Sequence, residues 1–460
     1  MTTVYCAPWV LPISSSPISD GAVAIKGDLI LGVGDRTSVL ERFPDSNLCE
    51  FPSAAILPGL INTHSHLEIT AMRGFLEPEE SNFFAWLRKL TRARVQGMTD
   101  DDLYVSAAWG ACEAARAGVT CLGDAGDSGW PTINALRDMG LRGTVYQESF
   151  GPEPWLAKEN LAKLQAKVAS LRALETSLVR VGVSPHSPYT VCGSQLRLIS
   201  EFALVENLPL MIHAAESVME RMLMENGTGV FAEILTKKGI DWRAPNVSTI
   251  QYLADHRVLE TRPLLAHCIN IDAQDIEIIR QSGSTVAHCP KSNAKLGHGR
   301  APLARLLEQG VTVGLGSDSV ASNNTCDILE EARFAVLSAR ASGSEDRASQ
   351  MLEAKVGLEA ATIEGARALG LSSVVGELKE GLQADLIGVS LKGVHQRPLY
   401  DPVNALIFAS SAQDVVLTVV AGREVFREGL ITTIDEGELG QKVQDIARKL
   451  QSANYSAGFQ

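Results

Sequence analysis

The chain of 460 residues has no apolar run approaching the roughly 18 residues that a membrane-crossing helix needs, so no membrane span is expected. Positive charge is also in short supply. Lysine and arginine number 41 against 54 aspartates and glutamates, a formal net charge of −13 with neutral histidines. So acidic a chain does not draw in nucleic acid through its overall field, and no local run of basic residues offers an exception. The first residues, MTTVYCAPWVLPISSSPISDG, lack the basic segment that opens a secretory leader. No C-x-x-C pair occurs among the eight cysteines, Cys6, Cys49, Cys112, Cys121, Cys192, Cys268, Cys289 and Cys326. A disulfide framework is therefore not expected, and these residues read as small buried hydrophobes. The expectation left is a soluble, cytoplasmic protein whose 45% hydrophobic residues suffice for a large core.

The length suggests two or three domains of about 150 residues, or one α/β barrel of about 250 residues with additions. Residues 1–57 read as short strands and turns: GAVAIKGDLILGVG alternates apolar and polar positions and is punctuated by glycine. The same texture returns in residues 371–435, where ADLIGVSL and VVLTVVAGREVFREG are β-branched runs broken by glycine-containing turns. Two such pieces flanking a long middle predict one small β domain assembled from both ends. Residues 436–460 read as a surface helix of mixed charge, from about Glu436 to Gln451, and a tail.

Residues 58–370 repeat a pattern of apolar strand, loop and amphipathic helix, the strand run reaching back into AIL. The strand candidates are AILPGLINTHSH, GVTCLGDAG, LRGTVYQESFG, LVRVGVSPHSPYT, LPLMIHAAES, RPLLAHCINI, GSTVAHCP and GVTVGLGSDS, eight in all. Thr99 with Asp102 forms a capping box for a helix ending near Gly118, and Asp272 caps one running to Gly283. Leu161, Leu164, Val168, Leu171 and Leu174 mark one helical face. Eight strand–helix units predict a (β/α)₈ barrel with its chemistry at the C-terminal strand ends.

Histidines gather at those ends. His64 and His66 close NTHSH, His213 closes PLMIH, His267 lies in LLAHC, His288 in TVAHC, and His186 follows RVGVSP. His64 and His66 are two residues apart, so on a strand both rings point to one side and can chelate one cation. With His213 and with Asp318 in GLGSDS they make three nitrogens and a carboxylate, a set that suits Zn²⁺ or Fe²⁺.

The segments PGLINTHSH, HSPYT, HAAES, LAHC, HCPKSNAKL and GLGSDSVASNN resemble, in this order, the signatures of the amidohydrolase superfamily. The likeness is to its metal-dependent deaminase branch, with cytosine deaminase-like, S-adenosylhomocysteine/methylthioadenosine deaminase-like, aminofutalosine deaminase-like and triazine hydrolase-like members, and runs from about residue 20 to about residue 430. It implies a distorted (β/α)₈ barrel with a composite β-sandwich from both chain ends. It also implies one divalent metal, zinc before iron, held by His64, His66, His213 and Asp318. Binuclear relatives use a bridging lysine from a middle strand, and TVYQESF and RVGVSPHS contain none. Glu216, in H-x-x-E, is implied as proton shuttle, Asp318 as the group that takes a proton from the attacking water, and His267 as the ring that holds developing charge.

The resemblance makes Trp86 a wall of the substrate site, although Phe83, Phe84, Trp86 and Leu87 also read as one packed helix face. His186 and Ser322 match positions that contact a purine-type ring. Nucleoside-deaminating relatives carry a ribose-binding glutamate after the tryptophan, whereas here LRKLTRARV offers no acid for a diol. Glu68, in HLE, either faces an amine or a sugar hydroxyl or pairs with Arg73. His288 reads as support for the barrel mouth; His256, His298 and His395 read as ordinary polar residues. The expected activity is hydrolytic release of ammonia from an exocyclic amine of an N-heterocycle, purine-like, aminofutalosine-like or pyrimidine. The alternatives are triazine dechlorination, cyclic-amide hydrolysis and, remotely, a non-catalytic scaffold. The expected partner is a small molecule rather than nucleic acid or membrane, and the resemblance suggests a homodimer.

Overall fold

A computed structural model describes residues 1–341 and 351–453, so the tail beyond residue 453 lies outside the described residues. The fold is mixed α/β. Its N-terminal strands are β1 (Thr3–Val10), β2 (Ile18–Lys26), β3 (Leu29–Asp35), β4 (Asn47–Glu50) and β5 (Ala54–Pro58). GAVAIKGDLILGVG forms the β2–β3 hairpin, and Gly27 takes the positive φ of +59° that its two-residue turn requires.

The middle of the chain supplies β6 (Leu60–Ser65), β7 (Val119–Gly126), β8 (Arg142–Ser149) and β9 (Val179–Pro185), which form one parallel four-stranded sheet in that order. A second, β10 (Met211–Ala214), β11 (Leu264–His267), β12 (Thr285–His288) and β13 (Val313–Leu315), is also parallel and in sequence order. Single parallel bridges link the two sheets at Val183–Leu210 and Ser65–Asp318. Every residue of β7 and β8 is buried, as expected of strands covered on both faces.

The C-terminal strands are β14 (Leu386–Ser390), β15 (Val415–Val420), β16 (Arg423–Arg427) and β17 (Leu430–Ile431). They join the N-terminal ones in a nine-stranded sheet ordered β17-β16-β15-β14-β5-β1-β2-β3, with β4 beside β1. The seam between the chain ends is β5 on β14, antiparallel from Pro58–Leu386 to Ala54–Ser390. The two-residue turn between β15 and β16 is Ala421–Gly422, both at positive φ (+47° and +77°).

One reading from the sequence needs correction. AILPGLINTHSH is two strands in two sheets, β5 in the large one and β6 in the first parallel one. The break falls at Gly59, where a Cβ would lie 2.0 Å from Thr120 Oγ1, so only glycine lets the chain cross there. Helix boundaries follow their caps. Both halves of the Thr99–Asp102 capping box form at the head of helix Asp100–Arg116, and Asp272 caps Ala273–Ser282 together with Asp275. Helix Ala157–Arg172 buries Leu164, Val168 and Leu171, while Leu174 lies past its end. The C-terminal helix, Glu436–Ser452, buries Leu439, Val443, Ile446 and Leu450. All eight cysteines are free and buried. Among the described residues no helix is long and apolar enough to cross a membrane.

A buried ion pair ties the large sheet to the parallel strands. Arg142, at the start of β8, meets Asp385 through Nε at 2.9 Å and Nη2 at 3.0 Å, and the carboxylate also accepts the Ala421 backbone N–H at 2.7 Å. Their side chains are 4% and 1% exposed. Removing one partner strands the other charge out of water, a cost of about 3–5 kcal/mol. Asp385→Ala is expected to lower stability by that amount in urea unfolding, and Arg142→Met with Asp385→Leu together by clearly less than the sum of the single losses.

Candidate metal centre and its cavity

The parallel strands end in one cluster. His64 and His66 leave β6, His213 sits in β10, His267 ends β11, and Asp318 lies just past β13. Several exits bend through left-handed backbone at non-glycine residues: Ala215 (φ +52°), His267 (+76°), Cys268 (+46°) and Asp318 (+58°). Such conformations cost about 1–3 kcal/mol each and persist where surrounding contacts impose them.

Hydrogen bonds to backbone carbonyls decide how the rings face. His66 Nδ1 lies 2.8 Å from the Ala125 carbonyl, and His213 Nδ1 lies 2.8 Å from that of His186. A carbonyl only accepts, so each Nδ1 carries the proton and each Nε2 turns its lone pair inward. The two Nε2 atoms are 3.3 Å apart, and Asp318 Oδ1 is 3.5 Å from His66 Nε2 and 3.6 Å from His64 Nε2. Neither ring nitrogen of the buried His64 has a hydrogen-bond partner. Lone pairs this close are satisfied only by a shared positive charge. Burial lowers the His64 pKa to about 4 and that of His213 well below its usual value, so protonation is not the ready answer. Burial alone would raise the pKa of Asp318, but the His64 ring and the neighbouring imidazoles pull it well below the usual carboxylate range. The set His64, His66, His213 and Asp318 fits a divalent cation, with His267 also within reach of His64 and His213.

Asp318 is held by three donors: Ser292 Oγ at 2.6 Å, Ser322 Oγ at 3.1 Å and the Ser319 N–H at 2.8 Å. Ser322, expected at the substrate, is instead buried behind this carboxylate and outside the cavity lining. Its hydroxyl bonds Asp318 because the turn Ser319–Ser322 points it there.

Glu216 stands beside the cluster. Its Oε1 is 3.8 Å from His267 Nε2 and 3.6 Å from His298 Nδ1, and its Oε2 accepts the Tyr189 hydroxyl at 3.4 Å. His267 Nδ1 in turn contacts Asn293 Oδ1 at 2.9 Å. The bend carrying Glu216 is clamped by Glu220, whose carboxylate accepts the N–H of Ala215 (3.0 Å), that of Glu216 (2.9 Å) and the Thr249 hydroxyl (3.1 Å). Two residues close to this site carried little signal in the sequence. His298, read as an ordinary polar residue, has a buried ring against Phe83 at 4.4 Å; its flanking Gly297 and Gly299 were the available signal. Glu148, at the end of β8, carried no motif signal.

A cavity of about 530 Å³ opens in front of the cluster. Trp86 lines it and also stacks on Phe83 at 6.2 Å, so the wall and the packed helix face are one feature. His186 lines it with Nδ1 turned to Thr190 Oγ1 at 2.8 Å. Glu68 lines it too, but its partner is Arg94 (Nε–Oε1 2.7 Å), whereas Arg73 pairs with Glu113. The pairing with Arg73 is therefore corrected: the turn after β6 directs Glu68 toward helix Phe83–Gly97. Arg94 also holds Asp127 at 3.0 Å, and Glu148 nearby has its pKa raised to about 8 by burial and by the charges of Glu68 and Asp127. His288 is buried outside the cavity lining; His256 bonds the Tyr252 carbonyl at 2.9 Å, and His395 meets Asp414 at the surface.

Comparison with known proteins gives a consistent set. Residues 55–425 match the amidohydrolase family. A 5-methylthioadenosine/S-adenosylhomocysteine deaminase of Syntrophus aciditrophicus is 30% identical over 98% of this chain and 96% of its own length. One of Syntrophobacter fumaroxidans is 32% identical over 94% of both chains. Among solved structures, an adenosine deaminase from Xanthomonas campestris with bound zinc superposes with a TM-score of 0.86 at 25% identity, covering 98% of this chain and 99% of that one.

The Glu220 clamp makes stability depend on pH. Burial, with the Glu216 charge adding, raises the Glu220 pKa from 4.5 to about 7, against the pull of the two backbone amides. Between those values the folded chain keeps a proton that the unfolded chain has lost. The contribution is thus fully present below about pH 4.5 and is lost as pH rises through about 7. Glu220→Gln is expected to flatten this part of the stability profile, read as urea midpoints between pH 5 and pH 8; an unchanged slope would refute the assignment.

Proposed function

The chain belongs to the amidohydrolase family, and on that premise we propose that it is a hydrolytic deaminase releasing ammonia from the exocyclic amine of an N-heterocycle, with a purine-type ring as substrate. The observation that carries the reading is the Glu216 carboxylate, buried in the wall of the same cavity as the cation-fitting cluster. The deaminase names of relatives spanning almost the whole chain support it. In this reading the eight parallel strands form a distorted (β/α)₈ barrel over residues 58–370, supported by the two single bridges between the sheets. Residues 1–57 and 371–435 form the accompanying β domain.

His64, His66, His213 and Asp318 hold one divalent ion, with zinc favoured by the zinc-bound structural neighbour. Bound there, the ion supplies Lewis acidity, which makes water acidic enough to react near neutral pH. Asp318, with Oδ1 beside the cluster and Oδ2 held by two serines, takes a proton from the attacking water. His267 donates its Nδ1–H to Asn293 Oδ1 and presents Nε2 as an acceptor that orients this water toward the reacting carbon. Glu216 protonates the ring nitrogen next to the reacting carbon, which lets that carbon accept the nucleophile. In the second half Asp318 returns its proton to the exocyclic nitrogen, the C–N bond breaks and ammonia leaves, while the Glu216 carboxylate takes the proton of the added hydroxyl as the ring carbonyl forms. Trp86 and His186 flank the ring in this scheme, and Glu68 contributes to the polar end of the cavity.

Metal-loaded protein is expected to release ammonia from at least one member of a panel of aminopurines, their nucleosides, aminofutalosine, cytosine and amino-triazines. No ammonia from any of them, with one metal bound per chain, would refute the reading. Glu216→Gln is expected to lower kcat by about 10²–10⁴-fold with metal content unchanged, the range for loss of a general acid. His66→Ala is expected to lose the metal itself.

A further inference from the structure

The motif reading accounts for one imidazole beside Glu216; the structure has two. His298 reaches the same Glu216 oxygen as His267, and its position is fixed by backbone. Helix Pro290–Lys295 ends in a paired closing motif: the His298 N–H bonds the Asn293 carbonyl at 2.9 Å and the Gly297 N–H bonds that of Ala294 at 3.1 Å. Gly297, at φ +69°, supplies the left-handed residue that this ending needs. Gly299, at φ +103°, then turns the chain away. The histidine between these glycines is driven inward, edge-on to Phe83 with its side chain 5% exposed. Neither of its ring nitrogens has a hydrogen-bond partner, and a buried polar group left this way destabilises the fold unless a nearby acceptor takes its proton. The carboxylate within reach is Glu216, whose Oε1 lies 3.6 Å from Nδ1.

We propose that His298 is a positioning residue that donates its Nδ1–H to Glu216 Oε1 and holds this carboxylate aimed at the substrate ring nitrogen. The same short helix end then sets both imidazoles, His267 through the Asn293 side chain and His298 through the Asn293 carbonyl. Tyr189 steadies the other oxygen. One donor on each carboxylate oxygen fixes its direction, so it meets the ring nitrogen without reorganising at the moment of transfer. No proton leaves His298 in this role: it orders the acid that does the transfer.

The inference rests on the proton-carrying role proposed for Glu216, and the test separates the two. His298→Phe keeps a ring against Phe83 but removes the donor. It is expected to lower kcat about 10–100-fold on any substrate that releases ammonia, with KM within about 3-fold and bound metal and melting temperature unchanged. His298→Asn, whose amide nitrogen reaches the place of Nδ1, is expected to recover most of the loss. Asparagine as impaired as phenylalanine, or kcat unaffected by phenylalanine, would overturn the proposal. Should the wild type deaminate nothing, the functional reading fails on its own, and the contact is still decided by nitrogen-15 NMR of the zinc-loaded protein. The His298 Nδ1 signal is expected to shift between wild type and Glu216→Gln, and an identical signal would overturn the inference.

Discussion

Two imidazole lone pairs aimed at one point are the constraint on which the rest of the molecule depends. His66 and His213 each give a proton to a backbone carbonyl, and their free nitrogens then face each other at 3.3 Å beside the Asp318 carboxylate. That arrangement is repulsive for the chain alone and favourable around a cation. It requires a scaffold stiff enough to hold it open. Parallel strands buried on both faces supply this stiffness, because neither backbone nor side chain has an alternative place to go.

Much of the buried polarity around the site serves that rigidity. Asp124, at the end of β7, accepts the Ser65 hydroxyl at 2.8 Å, the Leu67 N–H at 2.7 Å and the Thr132 hydroxyl at 2.8 Å, and so grips the chain on both sides of His66. Glu220 does the same for the bend before Glu216, and Ser292 with Ser322 for Asp318. Each of these carboxylates is buried and compensated by several donors, the condition under which such a group holds a geometry. The pattern is a ring of imidazoles and carboxylates at the strand ends, backed by acids and hydroxyls that touch backbone.

The sequence made the clustered histidines legible and their supports much less so. His64, His66 and His213 stand at the ends of apolar runs, a pattern visible without coordinates, and the capping boxes at Thr99 and Asp272 lie where local chemistry sets them. Glu68, Ser322 and His298 show the limit. Glu68 has arginines available at 73 and 94, and only the path of the chain after β6 selects Arg94. Ser322 reads as a substrate contact until its neighbour Asp318 is in place. His298 sits between glycines on a loop, where no periodicity reports which way a side chain turns.

What the sequence by itself determined is therefore periodic or local: eight parallel strands, their helices, the strand-forming texture of both chain ends, and the residue types at the strand ends. These follow from apolar patterning, capping and turn chemistry, which act within a few residues. Tertiary structure alone decided which groups share a contact. The break at Gly59 depends on Thr120, the facing of His66 on the Ala125 carbonyl, and what the His298 ring meets on the packing of a glutamate 82 positions earlier in the chain. Such choices follow from close packing among elements distant in sequence, and no local rule contains them.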